Sequence, residues 1–246
     1  DSAAVEYCFS GFFFRFCLDI LATTIFKAVQ DFFICVPIPS SISSTLIFLV
    51  PNNDACSSFE DYRPISLSNF INKVFSKVLC NRLKPLLPAL ISKEQSGFVQ
   101  GRDITDNLLL ARELVGSLDK KVRGKNIIFK LDMMKAFDRV SWSFLSNVLQ
   151  AFGFHSHFVA LILSNLNASR FSLLINGKPC GFFNASRELK QRDPLSPYLF
   201  ILGAEALSRG LNKLFETGAF ASYALLHACP SISHLSFADN YGLWEG

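Results

Sequence analysis

The sequence predicts an α+β fold, and three observations carry that prediction. Segments of helical and strand periodicity follow one another without the regular strand–helix alternation of a parallel α/β sheet. Asn176-Gly177 stands between two apolar runs, the strongest short hairpin signal. The chain has 246 residues, 50% hydrophobic and 18% charged, enough to bury a sizeable core in one large domain or two small lobes. Such a composition excludes disordered, collagenous and coiled-coil chains. Its 26 phenylalanines predict poor solubility for the chain alone.

Taken in order, residues 18–33 carry apolar positions at helical spacing, and Pro37 and Pro39 end that element. Thr45 to Val50 reads as a strand running into the turn Pro51-Asn52-Asn53-Asp54. Phe70, Ile71, Val74, Phe75, Val78, Leu79 and Leu83 recur as one face of an amphipathic helix that Pro85 stops. On its polar side Lys73, Lys77 and Lys84 fall within about 40° of one another. Asn126 to Leu131 reads as a buried strand that delivers Asp132 at its end. Ser141 can cap the helix that follows, and another helical stretch spans Phe158 to Leu166. After the hairpin, Pro194 falls in the first turn of a helix reaching about Leu214, with Asp193 as its cap. Ile232 to Ala238 is a strand ending at an Asp239-Asn240 turn, and so few residues follow that the return strand is expected to be nearly absent.

Charge and cysteine usage narrow the function classes. A net charge of +4, from 24 basic and 20 acidic residues, is mild for a dedicated nucleic-acid binder. Between Asp61 and Arg102, however, seven basic residues face only Asp61 and Glu94, which is either a solvated face or a polyanion-binding one. Seven scattered cysteines without a CxxC pair, and four histidines without zinc spacing, argue against a disulfide framework or structural metal and for a reducing compartment. Arg15, Asp19, Lys27 and Asp31 interrupt the N-terminal apolar stretch too often for a membrane span, and no signal-peptide pattern precedes them. The expectation is an intracellular protein, neither secreted nor membrane-bound.

Two carboxylates draw attention because each closes a strand: Asp132 ends NIIFKLD and Asp239 ends SHLSFAD. Carboxylates at neighbouring strand ends can share a divalent cation, and two such ions clamp the attacking and leaving oxygens of a phosphoryl transfer. Spacing alone does not separate this from ordinary strand-end aspartates.

The surrounding words do. DYRPISLSN (61–69), QSGFVQGR (95–102), KLDMMKAFDRV (130–140), QRDPLSPYLF (191–200) and HLSFADN (234–240) occur in that order. Together with the linking stretches NRLKPLLP, LLINGKP and ISHL, they resemble the reverse-transcriptase domain of non-LTR (LINE-type) retrotransposons, particularly those common in plants. The resemblance runs from about Leu46 to Asn240, and more loosely upstream through KAVQDFF (27–33). It implies right-hand polymerase fingers and palm, an antiparallel palm sheet with packed helices, and no thumb. The implied organisation is a degenerate extension over 1–45, a fingers-like segment over 46–125 and a palm-like segment over 126–246, cut short after the FADN turn.

By the same resemblance, Asp132 and Asp239 bind two Mg²⁺, and Asn240 stands where the family has a third metal-binding aspartate. Phe137 matches the aromatic that blocks a nucleotide's 2′-hydroxyl, although it also reads as a core aromatic beside Ala136. Arg63 and Arg102 fall in blocks expected to contact the incoming triphosphate or template, which suits a guanidinium fork; each also reads as a surface salt bridge. Gln191 opens the block the family writes Q-G-D-P-L-S-P, where Arg192 replaces the glycine. Lys190 and Arg192 are expected to line a nucleic-acid groove, with Lys73, Lys77 and Lys84 as a second basic surface. The implied partners are an RNA template, a DNA primer and dNTPs, with the missing thumb or other element-encoded domains. Asn240 and Arg192 also leave open a non-catalytic remnant that binds RNA weakly or has no function.

Overall fold

The computed structural model describes residues 11–51, 55–116, 118, 127–167, 170–190, 192–220 and 232–245. It opens with α1 (Gly11–Phe16), α2 (Leu18–Phe33) and the single turn α3 (Ser40–Ser43). β1 (Thr45–Pro51) and β2 (Tyr62–Ser68) pair antiparallel. α4 (Phe70–Leu83) follows the predicted apolar face. Pro85 does not stop the chain's helical course outright: a 3-10 turn over Lys84–Leu86 leads into α5 (Leu87–Leu90). A proline near the start of a turn removes only an N–H that has no helical partner. Then come α6 (Ile104–Gly116), β3 (Ile127–Asp132), α7 (Ala136–Arg139), α8 (Trp142–Ala151) and α9 (Ser156–Asn167). β4 (Arg170–Ile175) and β5 (Lys178–Asn184) form the predicted hairpin, and Asn176 and Gly177 both take positive φ, as a type I′ turn requires. α10 (Ser196–Glu216), β6 (His234–Phe237) and β7 (Asn240–Glu245) complete the order.

Contacts divide the chain into two compact units, each assembled from two stretches of sequence: 1–81 with 141–196, and 82–140 with 197–246. The first unit holds a four-stranded sheet in the order β2-β1-β4-β5, in which β1 and β4 are parallel. The second holds a three-stranded antiparallel sheet in the order β3-β7-β6. Strands and helices are therefore mixed as an α+β fold, as the sequence predicts.

Several local expectations change. β7 is a full six-residue strand at the centre of its sheet, paired on both sides, so the return strand is present rather than vestigial. The hairpin turn is Ala238-Asp239, closed by the Phe237↔Asn240 pair, one residue earlier than predicted. β3, predicted to be buried, is exposed at every residue except Ile128, because it is an edge strand. Ser141 precedes α8 but makes no capping bond; its hydroxyl pairs with that of Ser143. Asp193 accepts from Leu195 N at 2.9 Å and Pro194 lies before the first turn of α10, so the pair shapes the approach to the helix.

In the second unit α10 and α6 pack on opposite faces of the sheet beside β6 and β7. Strand parity puts His234 and Tyr241 towards α10, where Tyr241 Oη donates to Ala204 O and His234 Nε2 meets Ser208 Oγ. Leu235 and Ile128 face the other way and pack with Leu110, Ala111 and Leu114 of α6.

Candidate metal centre

The two strand-end aspartates come together in the second unit. Asp132 is the last residue of β3 and Asn240 the first of β7, and the two are register partners. Directly opposed residues in an antiparallel pair project to the same face. Asp239 lies in the turn just before, and its carbonyl accepts from Met133 N at 3.3 Å. All three predicted ligand positions therefore meet at one end of the sheet. Asp132 and Asn240 are exposed and Asp239 is half-buried, so a solvated ion with its phosphate ligands has access.

Two carboxylates and an amide oxygen are hard donors, which suits Mg²⁺. The charge count is the weak point. Asn240 Nδ2 donates to Asp239 Oδ1 at 3.2 Å, so the amide occupies a lone pair that a cation would otherwise use. An aspartate there would set a second negative charge against Asp239 and call for a cation. Among the described residues no group of three or more His, Cys, Asp or Glu side chains converges.

The turn that carries Asp239 is held from outside the sheet. Ala238 is left-handed, with φ +52°, and the Gln95 carboxamide accepts from its N–H at 2.9 Å and donates to its carbonyl at 3.2 Å. Residues 94–96 run beside β6 as a short parallel bridge, with Ser236 N on Glu94 O and Ser96 N on Ser236 O. Asn107 of α6 donates to Glu94 O and Ser236 O across the same bridge.

Arg102 belongs to this support. Its guanidinium donates to the carbonyls of Ser92, Gln95 and Ile91, and more distantly to Pro88. In this structure its fork laces residues 88–95 together. Beneath that loop, buried Glu205 accepts from Ser92 N, Ser92 Oγ and Arg209 Nε.

Phe137, on α7, is half-buried and stacks on Phe200 with ring centroids 4.8 Å apart and planes 12° off parallel. Arg63 is exposed on β2. The turn before β2 is fixed by Asp61, whose carboxylate accepts from Ser58 N and Ser57 N at 2.9 Å each. Those bonds hold its pKa below the ordinary aspartate value. Lys73 and Lys77 are exposed on α4, whereas Lys84 lies beyond the helix and is half-buried.

The QRDPLSP block behaves differently from its expectation. Gln191 lies outside the described residues. Lys190 is 3% exposed and donates from Nζ to Asn165 O at 2.9 Å, so it is a core residue and lines no groove. Burial depresses its pKa from 10.5 to about 8, although the charges of Asp193 and Glu188 oppose the shift. Ser76 Oγ donates to Asp193 Oδ2 at 2.6 Å, and Asn165 Nδ2 donates to Ser76 Oγ. Burial raises the Asp193 pKa despite those bonds. Arg192 is exposed and left-handed, with φ +60°. The family's glycine is free to adopt that conformation, whereas arginine there is strained by roughly 1–2 kcal/mol.

Nothing local to the QSGF word marks Gln95 or Gly97 as functional. The bonds from Gln95 to Ala238 cross 143 residues, a separation no local pattern reports.

Residues 50–243 match the family model described as Reverse transcriptase (RNA-dependent DNA polymerase). The Transposon TX1 uncharacterized 149 kDa protein of Xenopus laevis is 30% identical over 194 residues, which cover 78% of this chain and 15% of that protein. The Retrovirus-related Pol polyprotein from type-2 retrotransposable element R2DM of Drosophila melanogaster is 29% identical over 210 residues, 85% of this chain and 19% of its own. This chain thus spans under a fifth of either protein. Among solved structures, apo telomerase from Candida tropicalis superposes with a TM-score of 0.54 at 12% identity, covering 90% of this chain and 44% of that one. Telomerase from Candida albicans, solved with a fragment of telomeric RNA, gives 0.53 at 12% identity over 85% and 40%. At that identity the likeness concerns the fold. No helix among the described residues is long and apolar enough to cross a membrane.

Proposed function

This chain belongs to the reverse transcriptase family, with relatives among non-LTR retrotransposon polyproteins, and on that premise we propose that it is the fingers and palm of an RNA-directed DNA polymerase whose metal centre is one charge short. The observation that carries the reading is the meeting of Asp132, Asp239 and Asn240 at one sheet end. The reaction is attack of a primer 3′-hydroxyl on the α-phosphate of a dNTP templated by RNA. Bound Mg²⁺ would neutralise the phosphate oxygens, with Asp132 and Asp239 as its carboxylate ligands.

Asn240 can offer an amide oxygen but no charge, so the ligand set falls from −3 to −2 relative to three aspartates. Phosphoryl transfer depends on positioning and electrostatics, and loss of one electrostatic group elsewhere costs about 3–4 kcal/mol of transition-state stabilisation. Polymerisation is therefore reduced by at least about 100-fold. Phe137 selects the deoxy sugar, and its stacking on Phe200 would hold the ring at a fixed angle. Arg63 meets the triphosphate or template. Lys73 and Lys77 contribute a basic surface for RNA backbone, with Lys84 and Arg192 beside their respective blocks. We keep 1–45, 46–125 and 126–246 as extension, fingers and palm, acting inside the cell with the other domains of a longer polypeptide.

A second reading is a remnant that binds RNA without catalysis. The Asn240–Asp239 bond favours it, since that contact satisfies the carboxylate without a metal. Primer extension on an RNA template with Mg²⁺ and dNTPs separates the two. Extension that appears on Asn240→Asp and is lost again with Asp132→Asn supports the polymerase reading. Silence from Asn240→Asp in a folded protein supports the remnant.

A further inference from the structure

We propose that Gln95 is a positioning residue of the metal centre, holding the Ala238 peptide in its left-handed conformation and so fixing where Asp239 presents its carboxylate. The inference rests on the polymerase reading for the role of Asp239, but its geometry stands independently. Gln95 is 2% exposed, and its side chain makes three hydrogen bonds. Oε1 accepts from Ala238 N at 2.9 Å and from Gly97 N at 2.8 Å, while Nε2 donates to Ala238 O at 3.2 Å. Both backbone polar atoms of Ala238, one from each peptide unit that flanks its Cα, are thus gripped by one side chain.

That residue needs the grip. Ala238 has φ +52°, the left-handed region that disfavours any residue with a Cβ and persists only where the surroundings over-determine it. On the far side, Met133 N holds the Asp239 carbonyl. The Asp239 backbone is consequently pinned on both flanks, which leaves only its side-chain torsions to choose the carboxylate position.

The rest of the 95–102 block serves the same end. A Cβ on Gly97 would stand 2.6 Å from Ala238 N and 3.0 Å from Gln95 Oε1, so only glycine lets the loop lie this close to the turn. Arg102 takes the Gln95 carbonyl at 2.7 Å and prevents the loop from swinging away. The QSGF word is, on this account, the brace of the catalytic turn. Metal sites elsewhere lose roughly 10–100-fold in affinity when such orienting partners are removed.

The test compares Gln95→Met and Gly97→Ala with Thr217→Val, which loosens the end of α10 in the same unit, where Thr217 Oγ1 donates to Lys213 O and Leu214 O, without touching the 88–102 support or the turn. Each is made in the chain as it stands and with Asn240→Asp. Two readouts are taken on folded protein: amide exchange at Ala238 by NMR, and Mn²⁺ affinity by EPR titration. Gln95→Met and Gly97→Ala should each speed Ala238 exchange by roughly tenfold or more and weaken Mn²⁺ binding roughly tenfold, with Thr217→Val changing neither. Unchanged exchange at Ala238, unchanged Mn²⁺ affinity, or an equal effect of Thr217→Val would each overturn the inference. Failure of even the Asn240→Asp chain to bind Mn²⁺ would instead overturn the metal-centre reading, and the exchange data would still decide whether Gln95 holds the turn.

Discussion

Lys190 gives the sharpest energetic prediction, because a charge is held where water does not reach. The residue is 3% exposed, its ammonium donates to the Asn165 carbonyl, and burial lowers its pKa from 10.5 to about 8. That displacement corresponds to roughly 3 kcal/mol of added penalty on the charged form in the folded protein relative to the unfolded chain. Between those two values the unfolded chain binds more protons at this site than the folded one, so stability rises with pH. The penalty is full below about pH 8 and gone above about 10.5, and from pH 7 to 9 this site gains on the order of 1 kcal/mol. Lys190→Met keeps the aliphatic stem and removes the charge. Urea unfolding at pH 7, 8 and 9, followed by Trp142 in a Trp244→Phe background, reads the effect locally, since the Trp142 indole donates to Glu188 O. The difference in stability between variant and parent should shift by on the order of 1 kcal/mol over that range, in favour of the parent as pH rises. A difference that stays constant with pH would refute a buried, titrating Lys190.

Other consequences are simpler to read. Arg192→Gly should raise thermal stability by up to about 1 kcal/mol, because the position is left-handed. Glu205→Ala strips three donors of their acceptor in a buried setting and should cost about 3 kcal/mol in thermal or urea unfolding. Lys73→Gln with Lys77→Gln should weaken RNA binding and flatten the slope of log affinity against log salt by about 1.4, two contacts' worth; an unchanged slope makes α4 a solvated face. Phe137→Val in the Asn240→Asp chain should raise ribonucleotide incorporation relative to deoxynucleotides, and an unchanged ratio leaves Phe137 as a core aromatic on Phe200.

What the sequence made legible was local. The amphipathic pattern of α4, the Asn176-Gly177 hairpin and the strand-end position of Asp132 all depend on neighbours within a few residues, and all are present in the structure, whereas Asp239 falls in the turn after β6. The departures arise where partners are far apart in the chain. β7 was discounted because so few residues follow Asn240, yet its six residues gain hydrogen bonds from both β3 and β6. β3 has the composition of a buried strand but lies at an edge, which only sheet order decides. Lys190 and Arg102 read as surface cations because side-chain type carries the expectation of exposure. Asn165 and the carbonyls of residues 88–95 draw both inward. The third ligand position was legible as a departure, and the bond from Asn240 to Asp239 gives that departure a physical meaning.

The most direct test of the central claim, a metal centre weakened by one missing charge, is a Mn²⁺ titration of the chain beside Asn240→Asp and Asn240→Asp with Asp132→Asn. Binding should be tighter by at least roughly tenfold on Asn240→Asp, and lost again when Asp132 is removed. Equal affinity for the chain and Asn240→Asp, or binding that survives the loss of Asp132, would contradict it.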